Sequence, residues 1–337
     1  RFDPVVVSLG DKGTVGPLLE AQGVTVYTLG MRAGRPSLGA LLILRRLIKD
    51  LAPNVIQGWM YHGNLAASLA GRGYSVVWGI RQSLYDIGKE RLLTRIVIKI
   101  GAILSNSSAA IIYNSQTSQE QHARLGYSEI RSRCISNGFD VDVFKPDSSA
   151  RIRLFQELGL PKTAVVVGLI GRFHPQKDHR SFLRAASIVN RSFPDVHFVM
   201  VGNGVTADNV ISTLIVSEGL RCRLHFLGER SDISSLNATF DVACSSSAWG
   251  EGFGNTIGEA MSCGVPCVVT DVGDSARIVG DTGLVVQPGS PCDLAEALKK
   301  LIALGTGGRK TLGISARQRV IENFSLLKIV NEYQQFY

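Results

Sequence analysis

Short apolar runs alternate with longer amphipathic segments along almost the whole chain, and few folds accept that pattern. In the first half, strands are expected at Pro4–Leu9, Val24–Leu29, Val55–Trp59, Ser75–Ile80, Ala109–Asn114 and Arg133–Ser136. Helices are expected between them, at Val15–Gln22, Leu38–Leu51, Asn64–Arg72, Leu92–Ser105 and Gln116–Leu125. The stretch Asn137–Pro146 carries turn residues and ends in a proline stop. After it the alternation restarts, with strands at Ala164–Ile170, His197–Val201, Leu224–Leu227, Phe240–Ser245, Pro266–Thr270 and Gly283–Val286. A helix at Asp293–Leu304 follows the last of these. Strand–helix alternation of this kind builds parallel sheets covered on both faces. Two doubly wound α/β domains facing a cleft follow, with a boundary near residue 145.

With 337 residues, 45% hydrophobic and 19% charged, the chain is long enough for two such cores. No apolar run reaches the roughly 18 residues that cross a bilayer. Arg1–Gly10 reads as a strand, not as a signal peptide. Six cysteines, at 134, 222, 244, 263, 267 and 292, form no CxxC pair, which points to a reduced, cytoplasmic chain. The net charge of +8 is uneven: residues 1–150 hold 17 Lys/Arg against 11 Asp/Glu, and residues 151–337 hold 19 against 17. A basic first half suits an anionic membrane surface; no zinc spacing or aromatic-interleaved basic run supports nucleic acid.

The densest chemistry lies in Glu251-Gly252-Phe253-Gly254-Asn255-Thr256-Ile257-Gly258-Glu259-Ala260-Met261, just after the strand Phe240–Cys244. Strand, glycine loop and helix start together form a phosphate site. The first amides of the helix lack intrahelical acceptors, and its dipole is positive there. Gly252 and Gly254 let a ligand approach the backbone, and Thr256 is the expected cap. Glu259, one turn on, can accept both hydroxyls of a ribose, and Glu251 in the loop can accept sugar hydroxyls. As surface carboxylates the two would have no such role.

This block, with Ala260–Thr270 after it, resembles the retaining glycosyltransferases of family 4, whose paired glutamates have seven residues between them and whose fold is GT-B. The resemblance implies an N-terminal acceptor domain over 1–145, a nucleotide-sugar domain over 146–325, and a helix at 326–337 returning to the first domain. It implies that Arg172 and Lys177, in Gly171-Arg172-Phe173-His174-Pro175-Gln176-Lys177-Asp178, hold the distal phosphate of the donor. Asp178 stands where many relatives have glycine. Glu259 would take the ribose. Glu251, Gly252, Phe253 and Gly254 would grip the sugar, and the amides of Asn255 and Thr256 the phosphate. Gly171, Gly202 and Arg230 fall near the nucleotide; Gly202 reads equally well as a plain turn. His62, between a strand and a helix, resembles a cleft histidine and equally a polar loop residue. Arg81 replaces a histidine common in relatives. Asn114-Ser115 suits a cleft strand end or a helix cap. The first strand matches the family's second, so the family's first strand is expected to be missing.

The implied reaction moves a sugar from a UDP- or GDP-sugar to a hydroxyl of a lipid-linked or polysaccharide glycan, without a metal or other cofactor, in cell-envelope biosynthesis. Asp140-Val141-Asp142 mimics a metal motif but falls in the inter-domain turn. A nucleotide-sugar epimerase, a phosphorylase and a non-catalytic nucleotide-sugar-binding protein are the alternatives. The basic, apolar helices Leu38–Leu51 and Leu92–Leu104 suit either the core, with snorkelling cations, or peripheral contact with the inner face of the plasma membrane; the core reading is preferred.

Overall fold

The computed structural model describes residues 2–32, 35, 37–211 and 218–337. The chain divides into two compact units, Arg1–Tyr113 with Gln119–Cys134, and Asn114–Ser118 with Ile135–Tyr337.

The first unit runs β1 (Val5–Ser8), α1 (Gly16–Ala21), β2 (Thr25–Thr28), α2 (Leu38–Leu51), β3 (Ile56–Trp59), α3 (Met60–Ala70), β4 (Val76–Ile80), α4 (Leu92–Leu104), β5 (Ala110–Tyr113), most of α5 (Gln116–Arg124) and β6 (Ser132–Cys134). All pairings are parallel, but the strands form two sheets, β1-β2 and β3-β4-β5-β6. Among the described residues no ladder joins β1 to β3. Side chains connect the two sheets instead: Val7, Leu29 and Ile56 pack around Leu44, Ile48 and Ala70. The helix expected from Asn64 starts four residues earlier, at Met60. Met60 takes φ 60°, which turns the chain from strand into helix with no loop between. His62 therefore lies exposed in the first turn of α3, not in a loop.

The inner stripes of α2 and α4 fit the core reading. Ser37 caps α2 by accepting from the Ala40 amide at 3.2 Å, and Ala40, Leu44 and Ile48 face inward. On α4, Ile98 and Gly101 are buried, and the missing side chain of Gly101 makes room for the Tyr127 ring, whose hydroxyl donates to the Ile98 carbonyl at 3.0 Å. Their outer stripes do not fit it, because large aliphatic side chains there remain in water.

The second unit runs α6 (Ser148–Glu157), β7 (Val165–Ile170), α7 (His179–Ser192), β8 (Val196–Val201), α8 (Ala207–Ile211), α9 (Glu218–Arg221), β9 (Leu224–Phe226), α10 (Ile233–Asn237), β10 (Val242–Ser245), α11 (Asn255–Ser262), β11 (Cys267–Thr270), α12 (Ser275–Val279), β12 (Leu284–Val286), α13 (Pro291–Ala303), α14 (Gly305–Phe324) and α15 (Leu326–Phe336). Its parallel sheet has the order β12-β11-β10-β7-β8-β9, reversing at β7 as a doubly wound sheet does. The period of two along a strand feeds two separate cores. Val166, Val199 and Val201 enter one core with α11 and α14, while Val167, Leu169, Phe198 and Met200 enter the other with α7 and α13. Gly168 interrupts β7 because the Phe240 ring occupies the space a side chain would need. Arg317 of α14 donates to the carbonyls of Phe144 and Val141, both at 2.9 Å, so the turn after Asn137 is held within this unit. Asp140 accepts from the amides of Asp142 and Val143 at 3.0 Å, a turn contact.

Candidate active site

The C-terminal ends of β7, β8 and β10 carry the residues of interest in the second unit. Gly171 follows β7 and Gly202 follows β8, and their backbones meet. Gly202 has φ 149°, and a side chain there would strike the Gly171 carbonyl, so this glycine is required by the chain's own packing. Past Gly171 the chain turns, and Lys177 lays its stem across that glycine, with its Cγ and Cδ 3.3 Å from where a Cβ would stand. The Lys177 ammonium donates to Glu251 Oε1, and the Ser247 hydroxyl donates to the same oxygen at 2.7 Å. The pair is largely shielded, with side chains 21% and 13% exposed. Arg172 is exposed and has no hydrogen-bond partner among the described residues.

Asp178 explains itself. Its φ is 45°, the left-handed region where glycine is the default. Aspartate tolerates that region, and its carboxylate caps α7 by accepting from the Ser181 amide at 3.0 Å.

The loop after β10 leads into α11, but its cap differs from the expectation. Gly254, not Thr256, is the N-cap; no side chain caps the helix, and Thr256 is its second residue. A side chain at 254 would meet Ile257 Cδ1 at 2.6 Å, so a larger residue there requires the Ile257 side chain to shift. The amides of Asn255 and Thr256 have no intrahelical acceptor. Asn255 Oδ1 accepts from Asn137 Nδ2 at 2.8 Å. Glu259, in the second turn, is half-buried, and burial raises its carboxyl pKa above the ordinary value. Among the described residues no donor compensates that carboxylate. The Phe253 ring is in the core, stacked on Phe139 with centroids 5.9 Å apart and edge-on to Phe324 at 5.6 Å. It anchors the loop from beneath.

One group central to this arrangement is not among the residues the sequence singles out. Asp274 is nearly fully buried and accepts from the Ser115 hydroxyl at 3.0 Å, the Gln116 amide at 3.0 Å, the Thr117 amide at 3.1 Å and Arg277 Nε at 2.8 Å. Its own amide donates to the Gly252 carbonyl at 3.1 Å. The Thr117 hydroxyl donates to Gly273 O at 3.0 Å, and Gly273 sits so close to Glu251 O that only glycine fits. Arg277 continues to the Ser136 hydroxyl at 2.7 Å. The glutamate loop is thus tied to the Asn114–Ser118 segment through one carboxylate. Ser115 also accepts from the Ser118 amide at 2.9 Å, the helix-cap reading of Asn114-Ser115. A Gly-Asp pair before a helix is a capping signal, and it is the only sequence trace of Asp274. Asp274→Ala should lower unfolding stability by about 3 kcal/mol, because it leaves Arg277 and two amides without their acceptor. A denaturant midpoint equal to that of the unaltered chain would refute the network's importance.

Arg230 is otherwise occupied. Its guanidinium forks onto both Asp232 oxygens at 2.8 Å and reaches Glu157 at 2.8 Å, and these carboxylates hold its pKa above the usual arginine value. In the first unit, Arg81 lies 4.7 Å from the exposed Trp59 ring centroid, and its amide contacts Met60 Sδ at 3.3 Å. Among the described residues no three His, Cys, Asp or Glu side chains cluster as a metal site, and no helix is long and apolar enough to cross a membrane.

Comparison with known proteins places the fold. The fold superposes on Anabaena Alr3699/HepE in complex with UDP with a TM-score of 0.85 at 24% identity, covering 98% of this chain and 91% of that one. Sucrose-phosphate synthase from Thermosynechococcus elongatus gives 0.79 at 21%, covering 99% and 97%. Two Rossmann-like units of this kind define the GT-B class of glycosyltransferases. Residues 1–143 match the family model for Glycosyltransferase Family 4, and residues 164–303 the model for group 1 glycosyl transferases. The chain belongs to glycosyltransferase family 4. Among curated relatives, the UDP-Gal:alpha-D-GlcNAc-diphosphoundecaprenol alpha-1,3-galactosyltransferase of Escherichia coli is 29% identical over 210 residues, 60% of this chain and 53% of that protein. The D-inositol 3-phosphate glycosyltransferase of Corynebacterium jeikeium (strain K411) is 30% identical over 212 residues, 59% and 50%. The chain spans about half the length of these relatives.

Proposed function

We propose that the chain is a retaining glycosyltransferase that moves a sugar from a UDP-sugar to a hydroxyl of a lipid-linked or polysaccharide acceptor in envelope biosynthesis. The observation that carries this reading is the Lys177–Glu251–Ser247 cluster beside Gly171, followed within one loop by the open amides of α11 and the uncompensated Glu259. UDP is favoured over GDP because the relative from Escherichia coli is named for UDP-Gal and the Anabaena structure contains UDP.

In this reading Glu259 accepts the ribose hydroxyls. Arg172, Lys177 and the amides of Asn255 and Thr256 surround the diphosphate. Lys177 has three donors, so it can serve Glu251 and a phosphate oxygen together. As the bond from the sugar's anomeric carbon to the diphosphate breaks, its electrons pass to the departing phosphate oxygen, where these preset positive groups lower the barrier. They supply charge that a divalent cation supplies in other transferases. The acceptor oxygen bonds to the same face of the anomeric carbon, and its proton passes to that phosphate oxygen. Glu251 holds the sugar by its hydroxyls.

Calorimetric titration of UDP and GDP, without added metal, tests the donor site. UDP should bind, and the Glu259→Ala chain should lose that binding. A folded chain that binds neither nucleotide overturns the reading. Binding of UDP without UDP release from any UDP-sugar in the presence of lipid-linked acceptors would favour a non-catalytic binding protein.

A further inference from the structure

We propose that His179 is a positioning residue of the donor site: it orients the Gly171–Arg172 peptide so that the Arg172 backbone amide, and not only the side chain, donates to the distal phosphate of the donor. The inference rests on the donor reading given above. His179 opens α7, directly after the turn at Lys177 and Asp178. Its side chain is 3% exposed, and its ring lies against Phe173 with centroids 5.5 Å apart. Neither ring nitrogen has a hydrogen-bond partner among the described residues. Burial holds its pKa down to about 4, while the Gly171 carbonyl facing the ring, short of hydrogen-bond geometry, pulls the other way. The imidazole is therefore neutral at neutral pH, with one N–H to donate. A buried polar ring without a partner weakens a core, so packing alone does not explain a histidine here.

The peptide that the ring faces needs a constraint. Gly171 has no side chain, so the peptide after it can turn over at low cost. Gly202 packs against the flat of that peptide: the Gly171 carbonyl carbon and oxygen and the Arg172 nitrogen all lie within 2.9 Å of where a Cβ at 202 would stand. That contact fixes the plane of the peptide but not which edge turns inward. A trans peptide carries its C=O and its N–H on opposite edges. With the carbonyl edge toward His179, the Arg172 N–H points away from the buried ring. Among the described residues no acceptor takes that amide, and no donor is bonded to the Gly171 carbonyl. An imidazole N–H draws the carbonyl inward, which an apolar side chain cannot do. The Arg172 amide then joins Lys177 and the first amides of α11 as a donor already aimed when the phosphate arrives.

The test compares His179→Phe, His179→Asn and His179→Gln with the unaltered chain by thermal melting, by calorimetric titration of UDP and UMP, and by crystal structures without nucleotide. Phenylalanine keeps a buried ring but has no N–H. The His179→Phe chain should melt as high as the unaltered chain or higher, yet bind UDP about tenfold more weakly, the effect of losing one hydrogen bond to a charged phosphate. UMP has no distal phosphate, so its affinity should stay the same. Asparagine and glutamine carry an amide nitrogen near the places of Nδ1 and Nε2, and at least one of them should recover UDP binding, which a role in packing alone would not produce. UDP binding by His179→Phe indistinguishable from that of the unaltered chain overturns the proposal, as does a loss shared equally by UMP or by all three variants. In the crystal, the Gly171–Arg172 peptide of the His179→Phe chain should be turned over, and an unchanged peptide overturns the proposal as well. That comparison needs no nucleotide, so it decides the role of His179 even where the chain binds neither UDP nor UMP, the result that sinks the donor reading itself.

Discussion

Replacing Lys177 with methionine should lower turnover by about a hundred- to a thousandfold while changing the KM for the donor only a few-fold. Removing one preset positive group from a developing anion costs about 3 to 4 kcal/mol of transition-state stabilisation. In the proposed site the ground-state diphosphate would keep Arg172 and the α11 amides, so donor binding should suffer less. Methionine is chosen because the Lys177 stem lies across Gly171, and an unbranched apolar chain keeps that packing while removing the charge. The substitution also leaves Glu251 with the Ser247 hydroxyl but without its ammonium partner. Turnover within a few-fold of the unaltered chain for Lys177→Met and Arg172→Ala alike would remove both residues from the phosphate site. UDP release from a UDP-sugar is the measurement.

Glu259→Gln should do two opposite things. It should weaken UDP binding about tenfold to a hundredfold, because two ribose hydroxyls lose a charged acceptor. It should also stabilise the unliganded chain, by about 1 kcal/mol. The reason lies in the burial that raises the Glu259 pKa with no donor among the described residues to offset it. A carboxyl whose folded pKa is raised above its unfolded value contributes stability that is complete below the unfolded value and is lost as pH rises through the folded one. The gain on substitution should therefore be present at neutral pH and vanish in acid, below about pH 4.5. Melting curves of both chains at several pH values, with calorimetric UDP titration at neutral pH, check both halves. A Glu259→Gln chain that melts earlier at neutral pH would show that the carboxylate is held by the protein. Unchanged UDP affinity would move the ribose elsewhere.

The strands of the second unit were legible because they are buried on both faces. Runs such as Val165–Ile170 and Val196–Val201 have almost no polar residue to blur them. The glutamate loop was legible because its glycines and carboxylates are contiguous. What failed was local geometry that depends on a neighbour. Thr256 has the chemistry of a cap, but the Ile257 side chain and the turn before it give the position to Gly254. α3 starts four residues before the position the sequence predicts, because nothing in Met60 announces a left-handed residue. Gly202 was ambiguous until the Gly171 backbone appeared against it. The outer face of α4 is not legible in the sequence because an aliphatic stripe looks the same whether another element covers it or not.

By itself the sequence determined the two-fold α/β alternation, the family, and the positions of Arg172, Lys177, Glu251 and Glu259 in the chain, because short-range periodicity and contiguous motifs are written locally. Only the tertiary structure decided that Lys177 pairs with Glu251, 74 residues away, and that Asp274 ties the glutamate loop to Ser115, 159 residues away. It also decided that Phe253 is an anchor and that Arg230 is held by Asp232 and Glu157. Such contacts join residues far apart in the chain, and their partners are set by how the strands and helices pack, which no local pattern of residues encodes.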